Sequence, residues 1–358
     1  MGYPLKFQYV EVAADTPREM GFQYGEQARE KILAGIADYK ELFAETSGDK
    51  WEDLVRYAET FIPVAEKYTP DVMEEVRGIA EGCGAALGDI MLLNCRYELT
   101  KFPSAKAGEA DKECTSFALL GEATADGNPY TGQNWDYRAG ILDHVVILHM
   151  KQGDGLRILG LAEAGQVVRN GFSSRGIGLN SNNLQSVHDR KGTGVPVIFL
   201  RRTALSARNF TEARNLIETM PRDMSCNFML GSVEGFAVDL EGYPGGADRI
   251  EPIKGVVTHA NHFEVDPAKE TQETSQRSLR LRELLMQKHG QIDVPHIKYC
   301  LSDHKNYPQA LCRHPADVSL PLAQRSITVA SVIYDLARGV GHICAGPPCE
   351  GEFVEYRL

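Results

Sequence analysis

The chain of 358 residues lacks several features that define broad classes of protein. Its longest apolar runs, which include residues 195–200, are far too short to cross a membrane. Its first residues contain no apolar core of the kind found in secretory signal peptides. The 49 acidic residues outnumber the 38 lysines and arginines, and no basic stripe marks a nucleic-acid-binding surface. We therefore expect a protein that binds neither membranes nor nucleic acids.

The same absences predict a cytoplasmic location. The chain ends with Tyr356-Arg357-Leu358, which is only weakly similar to the Ser-Lys-Leu signal for peroxisomal import. Peroxisomal import is therefore an alternative, and the sequence favours the cytoplasm.

The eight cysteines follow no regular spacing, and the chain contains neither a C-x-x-C pair nor a zinc-finger pattern. Since no signal peptide precedes them, most cysteines are expected to be reduced and buried. His259 and His262 form an H-x-x-H pair, but no cluster of Cys or acidic residues accompanies them at zinc-binding spacing. We predict no metal site and no bound cofactor.

The pattern of the chain changes at Cys114. Before it, apolar residues recur at helical spacing, and residues 104–113 form a small, charged linker. After it come short β-rich runs, a helix pair, more strands and more helices. This order is typical of an α+β protein, and a four-layer αββα sandwich fits it. We predict a helical segment at residues 1–113 and a catalytic core at residues 114–358, together forming one compact domain.

Cys114 begins the first β-rich run, and a turn at residues 126–129 leads to a second strand that carries Asn134 and Asp136. We predict a hairpin in which the thiol lies near both side chains. If the bond between Glu113 and Cys114 is cut, Cys114 supplies a thiol nucleophile and its own α-amino group as base, whose reference pKa is about 7.7–8.0. Asp136 would hold the ammonium, and Asn134 or Asn261 would donate to an oxyanion.

Two other interpretations of these residues stay open. In the first, the chain is never cut, and Cys114 works as a hydrolase nucleophile with His259 or His262 as its base. In the second, the chain is a non-catalytic binding protein that has kept the fold of an enzyme.

Several motifs of the chain resemble those of a known family, in the same order over almost the whole length. The family is that of acyl-coenzyme A:6-aminopenicillanic acid (isopenicillin-N) acyltransferases, which are N-terminal-nucleophile hydrolases. The most specific pairing is Cys-Thr at 114–115 with Gly-Gln-Asn-Trp-Asp at 132–136. The other motifs are Thr-Pro-Arg-Glu-Met-Gly at 16–21, Glu-Val-Arg-Gly-Ile-Ala at 75–80, Met-Leu-Leu-Asn at 91–94, His-Ala-Asn-His at 259–262 and Asn-Tyr-Pro at 306–308.

The resemblance implies an αββα fold and a precursor that cleaves itself before the nucleophilic Cys into associated α and β fragments. Carried over by motif, Cys114 is the nucleophile, Asp136 supports its amine, Asn261 lines the oxyanion hole and Arg313 lies in the active site. Four further residues are expected to contact the substrate: Trp135, Tyr137, Asn183 and His262.

Two positions depart from the patterns of related enzymes. Glu113 stands where the penicillin enzyme has Gly, and Gln133 stands where cholylglycine hydrolases carry an Arg, which argues against bile-salt hydrolysis. We expect a small-molecule amide or acyl donor as substrate, with acyl-CoA as an optional co-substrate. The motifs leave open a broad amidase, a peptide or β-alanyl amide hydrolase and an acyl-CoA-dependent transferase.

Overall fold

The computed structural model describes residues 6–46, 48–99, 114–271 and 273–358. The predicted linker at 104–113, which includes Glu113 of the predicted cleavage bond, lies outside the described residues. The α-helices within the described residues are α1 (Pro17–Gln27), α2 (Arg29–Thr46), α3 (Trp51–Glu59), α4 (Ile62–Tyr68), α5 (Pro70–Cys83), α6 (Leu87–Asn94), α7 (Arg96–Leu99), α8 (Val197–Leu205), α9 (Phe210–Thr219), α10 (Arg277–Met286) and α11 (Val294–Leu301).

The strands form two sheets. They are β1 (Gln8–Ala14), β2 (Cys114–Leu119), β3 (Tyr130–Arg138), β4 (Val145–Gln152), β5 (Arg157–Glu163), β6 (Asn170–Ser173), β7 (Ile177–Asn180), β8 (Cys226–Ser232), β9 (Ala237–Tyr243), β10 (Gly246–Ile250), β11 (Val256–His259), β12 (Ser326–Asp335), β13 (Val340–Ala345) and β14 (Phe353–Arg357). An eight-stranded sheet has the order β1-β4-β5-β6-β7-β8-β9-β10, and a six-stranded sheet has the order β11-β2-β3-β12-β13-β14.

The two sheets pack face to face between two layers of helices. One apolar cluster, with Trp135, Ile147 and Val332 among its members, fills the space between the sheets. A second joins the eight-stranded sheet to helices α1–α9, and a third joins the six-stranded sheet to α10 and α11. The predicted α+β class and four-layer αββα arrangement are therefore confirmed, because each sheet buries both of its faces.

The segment before Cys114 supplies more than helices. Its first strand, β1, pairs in parallel with β4 at the edge of the eight-stranded sheet, in a register that runs from Gln8 opposite Val146 to Ala14 opposite Gln152. Val10 and Val12 of β1 are buried in the core beneath the helices. Its partner strand lies more than a hundred residues further along the chain, so no local turn marks this strand in the sequence.

The predicted hairpin at Cys114 is confirmed. Strands β2 and β3 pair in an antiparallel register that sets Cys114 opposite Trp135 and Leu119 opposite Tyr130. Both strands lie in the interior of the six-stranded sheet, so a neighbouring strand covers each outer edge. The first residue of β2 is thereby held at a fixed place near the centre of the molecule.

Helices α1 and α5 approach each other so closely that glycine is required between them. A Cβ atom on Gly78 would lie 2.0 Å from the carbonyl oxygen of Arg18, and one on Gly21 would lie 2.0 Å from that of Glu75. None of the described helices is both long enough and apolar enough to cross a membrane.

We expect Gly78→Ala to destabilise the protein, because the added methyl group forces two packed backbones apart. Overpacking of this kind costs about 1–3 kcal/mol, to be measured as the change in free energy of unfolding in urea. The matched control is Gly35→Ala in α2, where the added Cβ would lie 3.8 Å from the His144 ring, an ordinary contact. Helix propensity makes that control neutral or more stable by up to about 1 kcal/mol. Equal losses in both variants would contradict the packing argument.

Candidate active site

Cys114 lies at the start of β2, and its side chain is 5% exposed. Its backbone nitrogen donates a hydrogen bond of 2.6 Å to Oδ1 of Asn261. Asn261 follows β11, which pairs with β2 through His259 opposite Ser116. The strand pairing therefore brings an asparagine from a distant part of the chain to the nitrogen of the predicted nucleophile.

Arg277 joins Asn261 to Asp136. Its Nη2 donates to Asn261 Oδ1 at 2.8 Å, and its Nη1 donates to Asp136 Oδ2 at 3.3 Å. The other carboxylate oxygen of Asp136 accepts a hydrogen bond of 2.6 Å from the Thr328 hydroxyl. The Arg277 guanidinium and the Cys114 nitrogen thus donate to the same oxygen of Asn261, and the Asp136 carboxylate contacts the guanidinium.

Burial raises the pKa of Asp136 to about 8, although Arg277 and the Thr328 hydroxyl both favour the charged carboxylate. The residue is 1% exposed, so water contributes little to its solvation. A second cation at the Cys114 nitrogen would favour the carboxylate further. The predicted support of the amine by Asp136 stays a prediction, since the hydrogen bond of the Cys114 nitrogen goes to Asn261.

The thiol of Cys114 faces a cavity between the pre-Cys114 helices and the core. Trp135, Tyr137 and Asn183 line this cavity together with Cys114, as three of the residues expected at the substrate. The fourth, His262, is not among the cavity residues. It borders a separate surface depression with Phe263 and Glu264, and its Nδ1 accepts from the Ser275 backbone at 3.4 Å.

The thiol is not ionised in advance. Burial raises its pKa to about 11, and the nearby Asp136 charge adds to this effect. A nucleophilic attack by this sulfur therefore needs a base that accepts its proton. No histidine is among the cavity residues in the part of the chain that the structure describes.

His259 is committed to a different network. Its Nε2 lies 2.9 Å from Glu241 Oε1 and 3.7 Å from Asp239 Oδ2, and its ring is fully buried. Burial alone would lower the pKa of His259, but the two carboxylates outweigh burial and raise it to about 10. A ring that is protonated at neutral pH cannot serve as a general base, so the geometry does not favour a Cys–His pair.

Comparison with known proteins places the chain in a family. Residues 123–350, well over half of the chain, match the sequence profile of the acyl-coenzyme A:6-aminopenicillanic acid acyl-transferases. The chain belongs to this family. The acyl-coenzyme A:6-aminopenicillanic-acid-acyltransferase 40 kDa form of Emericella nidulans is 25% identical over 327 residues, which cover 89% of this chain and 87% of that protein. The protein is thus an enzyme of an acyltransferase family, as the sequence motifs indicated.

Two solved structures are among its neighbours. Penicillin V acylase from Agrobacterium tumefaciens is 13% identical, with a TM-score of 0.48 over 65% of this chain and 83% of that chain. The Caenorhabditis elegans ortholog of N-acylethanolamine-hydrolyzing acid amidase is 15% identical, with a TM-score of 0.46 over 62% of this chain and 93% of that chain.

Asn134 does not face the thiol of Cys114, and its predicted role as an oxyanion donor is not supported. Its Nδ2 donates to the carbonyl oxygens of Leu301 and Leu311, at 2.9 and 2.8 Å. Successive side chains of a strand point to opposite faces. Since Trp135 shares the face of Cys114, Asn134 points towards the α10–α11 layer and ties α11 and its following loop to β3.

Two other asparagines remain candidates for the oxyanion site. Asn261 uses its Nδ2 to donate to the Asn183 carbonyl oxygen at 2.9 Å, while its Oδ1 faces Cys114 and Arg277. The Nδ2 of Asn183 is buried at the cavity without a hydrogen-bond partner. An unpaired buried amide N–H group is costly, so such a donor on a residue that lines the cavity beside a nucleophile points to use by a ligand.

Arg313 lies behind Asp136 and is not among the cavity residues. Its Nε is 3.9 Å from Asp136 Oδ2, and its Nη2 donates to Gln309 Oε1 at 2.7 Å. The place of Arg313 in the active site stays a prediction. The residue lies on the face of the six-stranded sheet opposite the cavity, where it is beside Asp136.

Several arginines of the site were missed in the sequence. Arg277 joins the central network, and Arg96, Arg169 and Arg201 line the cavity. A signal existed for Arg277 because it opens α10, where the positive end of the helix dipole disfavours a cation. Arg201 lies inside α8, Arg169 lies in the loop before β6 and Arg96 opens the four-residue α7, and none of these positions marks a cavity residue in the sequence.

Proposed function

We propose that the protein is a cysteine N-terminal-nucleophile enzyme that cuts its own Glu113–Cys114 bond. The mature enzyme then cleaves or transfers acyl groups at amide C–N bonds through a thioester on Cys114. One observation carries this proposal: the Cys114 nitrogen is held by Asn261 Oδ1 while its thiol faces a cavity that no histidine lines among the described residues. A base located on Cys114 itself meets the need of a thiol whose pKa is about 11.

In the first stage, the sulfur attacks the Glu113 carbonyl carbon. The C–S bond forms, the C–N bond breaks, and the thiol proton ends on the Cys114 nitrogen. Water then hydrolyses the thioester, which leaves a Glu113 carboxylate and a free N-terminal cysteine. The associated α and β fragments are the partners within the mature enzyme.

In the second stage, the neutral α-amino group takes the thiol proton as the sulfur attacks an amide or acyl donor. The same proton passes to the leaving amine, so the C–N bond breaks as the acyl-enzyme forms. Water or an acceptor amine then attacks the thioester and releases the acyl group. No bound cofactor enters these steps, and acyl-CoA would enter as a co-substrate that delivers its acyl group to the same sulfur.

Arg277 is a positioning residue for the base. Its guanidinium and the Cys114 nitrogen contact the same Asn261 oxygen, so a cation lies within a few ångströms of the amine. A like charge at this distance disfavours the ammonium form and lowers the pKa of the amine. The amine is thereby neutral, and able to accept a proton, over a wider range of pH.

Asn183 supports the oxyanion that develops on the attacked carbonyl. Its Nδ2 is buried, lacks a partner and lies at the cavity that contains Cys114. A donor that is already desolvated and oriented stabilises developing negative charge without reorganisation.

The charge of the cavity favours a substrate that carries an anionic group. Arg96 and Arg169 share one carboxylate, Glu163, whereas Arg201 has no carboxylate within ion-pair distance among the described residues. Arg201 is 6% exposed and donates to the Cys226 sulfur, a weak acceptor. Burial raises the pKa of nearby Glu98 to about 7, which limits its compensation of this cation.

Self-cleavage is tested by intact mass spectrometry of freshly purified protein, followed by incubation with a panel of acyl donors. We expect two fragments that meet at the Glu113–Cys114 bond, and an acyl adduct on the fragment that begins with Cys114. The variant Cys114→Ala should remain a single 39.5 kDa chain. Cys83→Ala, a buried cysteine of α5, is the control and should be cut like the wild type. A wild-type chain that stays whole would refute the first stage, and reaction of that whole chain with acyl donors would favour the uncleaved hydrolase.

Exchange of Arg277 for Met should move the acid limb of the kcat/KM profile of the mature enzyme to higher pH. The reason is that removal of the cation raises the amine pKa, so a higher pH is needed to deprotonate it. The expected shift is about one pH unit. Arg280→Met, one turn later on α10 in a pair with Asp303, should leave the limb where it was. An unshifted acid limb in the Arg277 variant would show that the guanidinium does not set the pKa of the α-amino group.

Exchange of Arg201 for Gln should reduce kcat/KM for amides with a carboxylate on the acyl group, because the buried anion loses its charged donor. Hydrogen bonds to charged groups contribute about 1.5–3 kcal/mol, which corresponds to a loss of about tenfold or more. Neutral amides of the same length form the internal control and should react at nearly the wild-type rate. A parallel loss for both substrates would show that Arg201 supports the fold of the cavity rather than an anion.

A further inference from the structure

Four side chains that are typical metal ligands meet at one point outside the cavity. His304, Cys312 and His314 come from the loop after α11, and Cys349 comes from the connection between β13 and β14. One ligand atom from each residue lies within 4.8 Å of the other three. We propose that these residues bind a structural zinc ion.

Four of the six distances among the ligand atoms are within about 0.5 Å of the edges of a tetrahedral zinc site. Zinc bonds of about 2.3 Å to sulfur and about 2.0–2.1 Å to nitrogen give tetrahedron edges of roughly 3.3 Å (N–N), 3.6 Å (N–S) and 3.8 Å (S–S). The Nε2 atoms of His304 and His314 lie 3.2 Å apart, and the Sγ atoms of Cys312 and Cys349 lie 3.5 Å apart. His314 Nε2 is 3.6 Å from the Cys312 sulfur and 3.1 Å from the Cys349 sulfur.

The surroundings orient these ligands. The second ring nitrogen of His314, Nδ1, lies 3.4 Å from Glu350 Oε1, and metal-binding histidines commonly use their second nitrogen in this way. The loop is also closed on itself, because the Cys312 backbone donates to the Asp303 carbonyl at 3.0 Å and the Tyr307 hydroxyl donates to the Pro315 carbonyl at 2.8 Å.

The ligand set selects zinc over other common cations. Two thiolates and two imidazoles suit Zn²⁺, whereas Mg²⁺ and Ca²⁺ prefer oxygen ligands. The sulfur–sulfur distance of 3.5 Å exceeds a disulfide bond of about 2.05 Å by far, so the two cysteines are separate thiols. Four protein ligands leave no open position for a reacting water, which is typical of a structural site.

A zinc ion at this site would fix the loop residues that lie beside Asp136 on the face of the sheet opposite the cavity. Arg313 lies between the ligands Cys312 and His314, and Leu311 accepts the hydrogen bond from Asn134 of β3. A metal that links this loop to the β13–β14 connection therefore fixes the groups on the far side of the catalytic sheet.

The test uses full-length protein without a polyhistidine tag, which would itself bind metal. Elemental analysis after gel filtration should find about one zinc ion per chain. Replacement by Co²⁺ should give the visible absorption bands of a tetrahedral site and the near-ultraviolet band of thiolate-to-cobalt charge transfer. The cobalt spectrum of the wild type tests the ligand set without any variant that could fail to fold.

The variants His304→Ala and Cys349→Ser change exposed residues, so the fold should survive. Each should lower zinc affinity, measured by competition with a chromophoric chelator, by about tenfold or more. His289→Ala, an exposed histidine outside the cluster, should bind zinc like the wild type. Cys114→Ala should also bind zinc normally, which separates this proposal from the proposed catalysis.

Three results would overturn the zinc site. These are wild-type protein that holds no zinc and gives no thiolate–cobalt band, unchanged affinity in both ligand variants, or a Cys312–Cys349 disulfide in protein purified under reducing conditions.

Discussion

The hydrogen bond from the Cys114 nitrogen to Asn261 Oδ1 is the contact on which the site depends. It needs β2 and β11 to be neighbours in the sheet, because only that pairing brings Asn261 beside the first residue of β2. The same oxygen accepts from Arg277, which in turn contacts Asp136. The network is buried, so water cannot substitute for any of these partners. The pairing of β2 with β11 in this register is therefore needed for the proposed catalysis as well as for stability.

The elements with strong local signals could be predicted from the sequence. The Thr16 side chain caps α1 by accepting from the Glu19 backbone, an arrangement that a Thr-Pro-x-Glu sequence favours. The hairpin at Cys114 was predictable because a turn of Asp, Gly, Asn and Pro separates two β-rich runs. Strand β1 was missed because its partner, β4, follows more than a hundred residues later, and parallel pairing leaves no local turn signal.

The details of the site depended on information that the sequence does not display. The thiol was predicted to lie near Asn134 and Asp136. The register sets Trp135 opposite Cys114 and turns Asn134 to the other face, whereas Asp136 is among the residues that line the cavity. Arg277 reaches the site only because α10 packs on the six-stranded sheet. The cluster of His304, Cys312, His314 and Cys349 has no zinc-binding sequence pattern, because its ligands lie in two segments with irregular spacing. Side chains that meet through tertiary packing have no fixed separation along the chain.

The pairing of β1 with β4 determines what a cut before Cys114 could achieve. The residues ahead of Cys114 contribute an edge strand with seven paired positions and much of the apolar cluster beneath the helices. They are therefore unlike a leader peptide that departs once it has been clipped. After cleavage, the two pieces would share one hydrophobic core, and separating them would require unfolding both. Cleavage would then create a new N-terminus inside a folded protein. Dilution alone would not dissociate the two fragments.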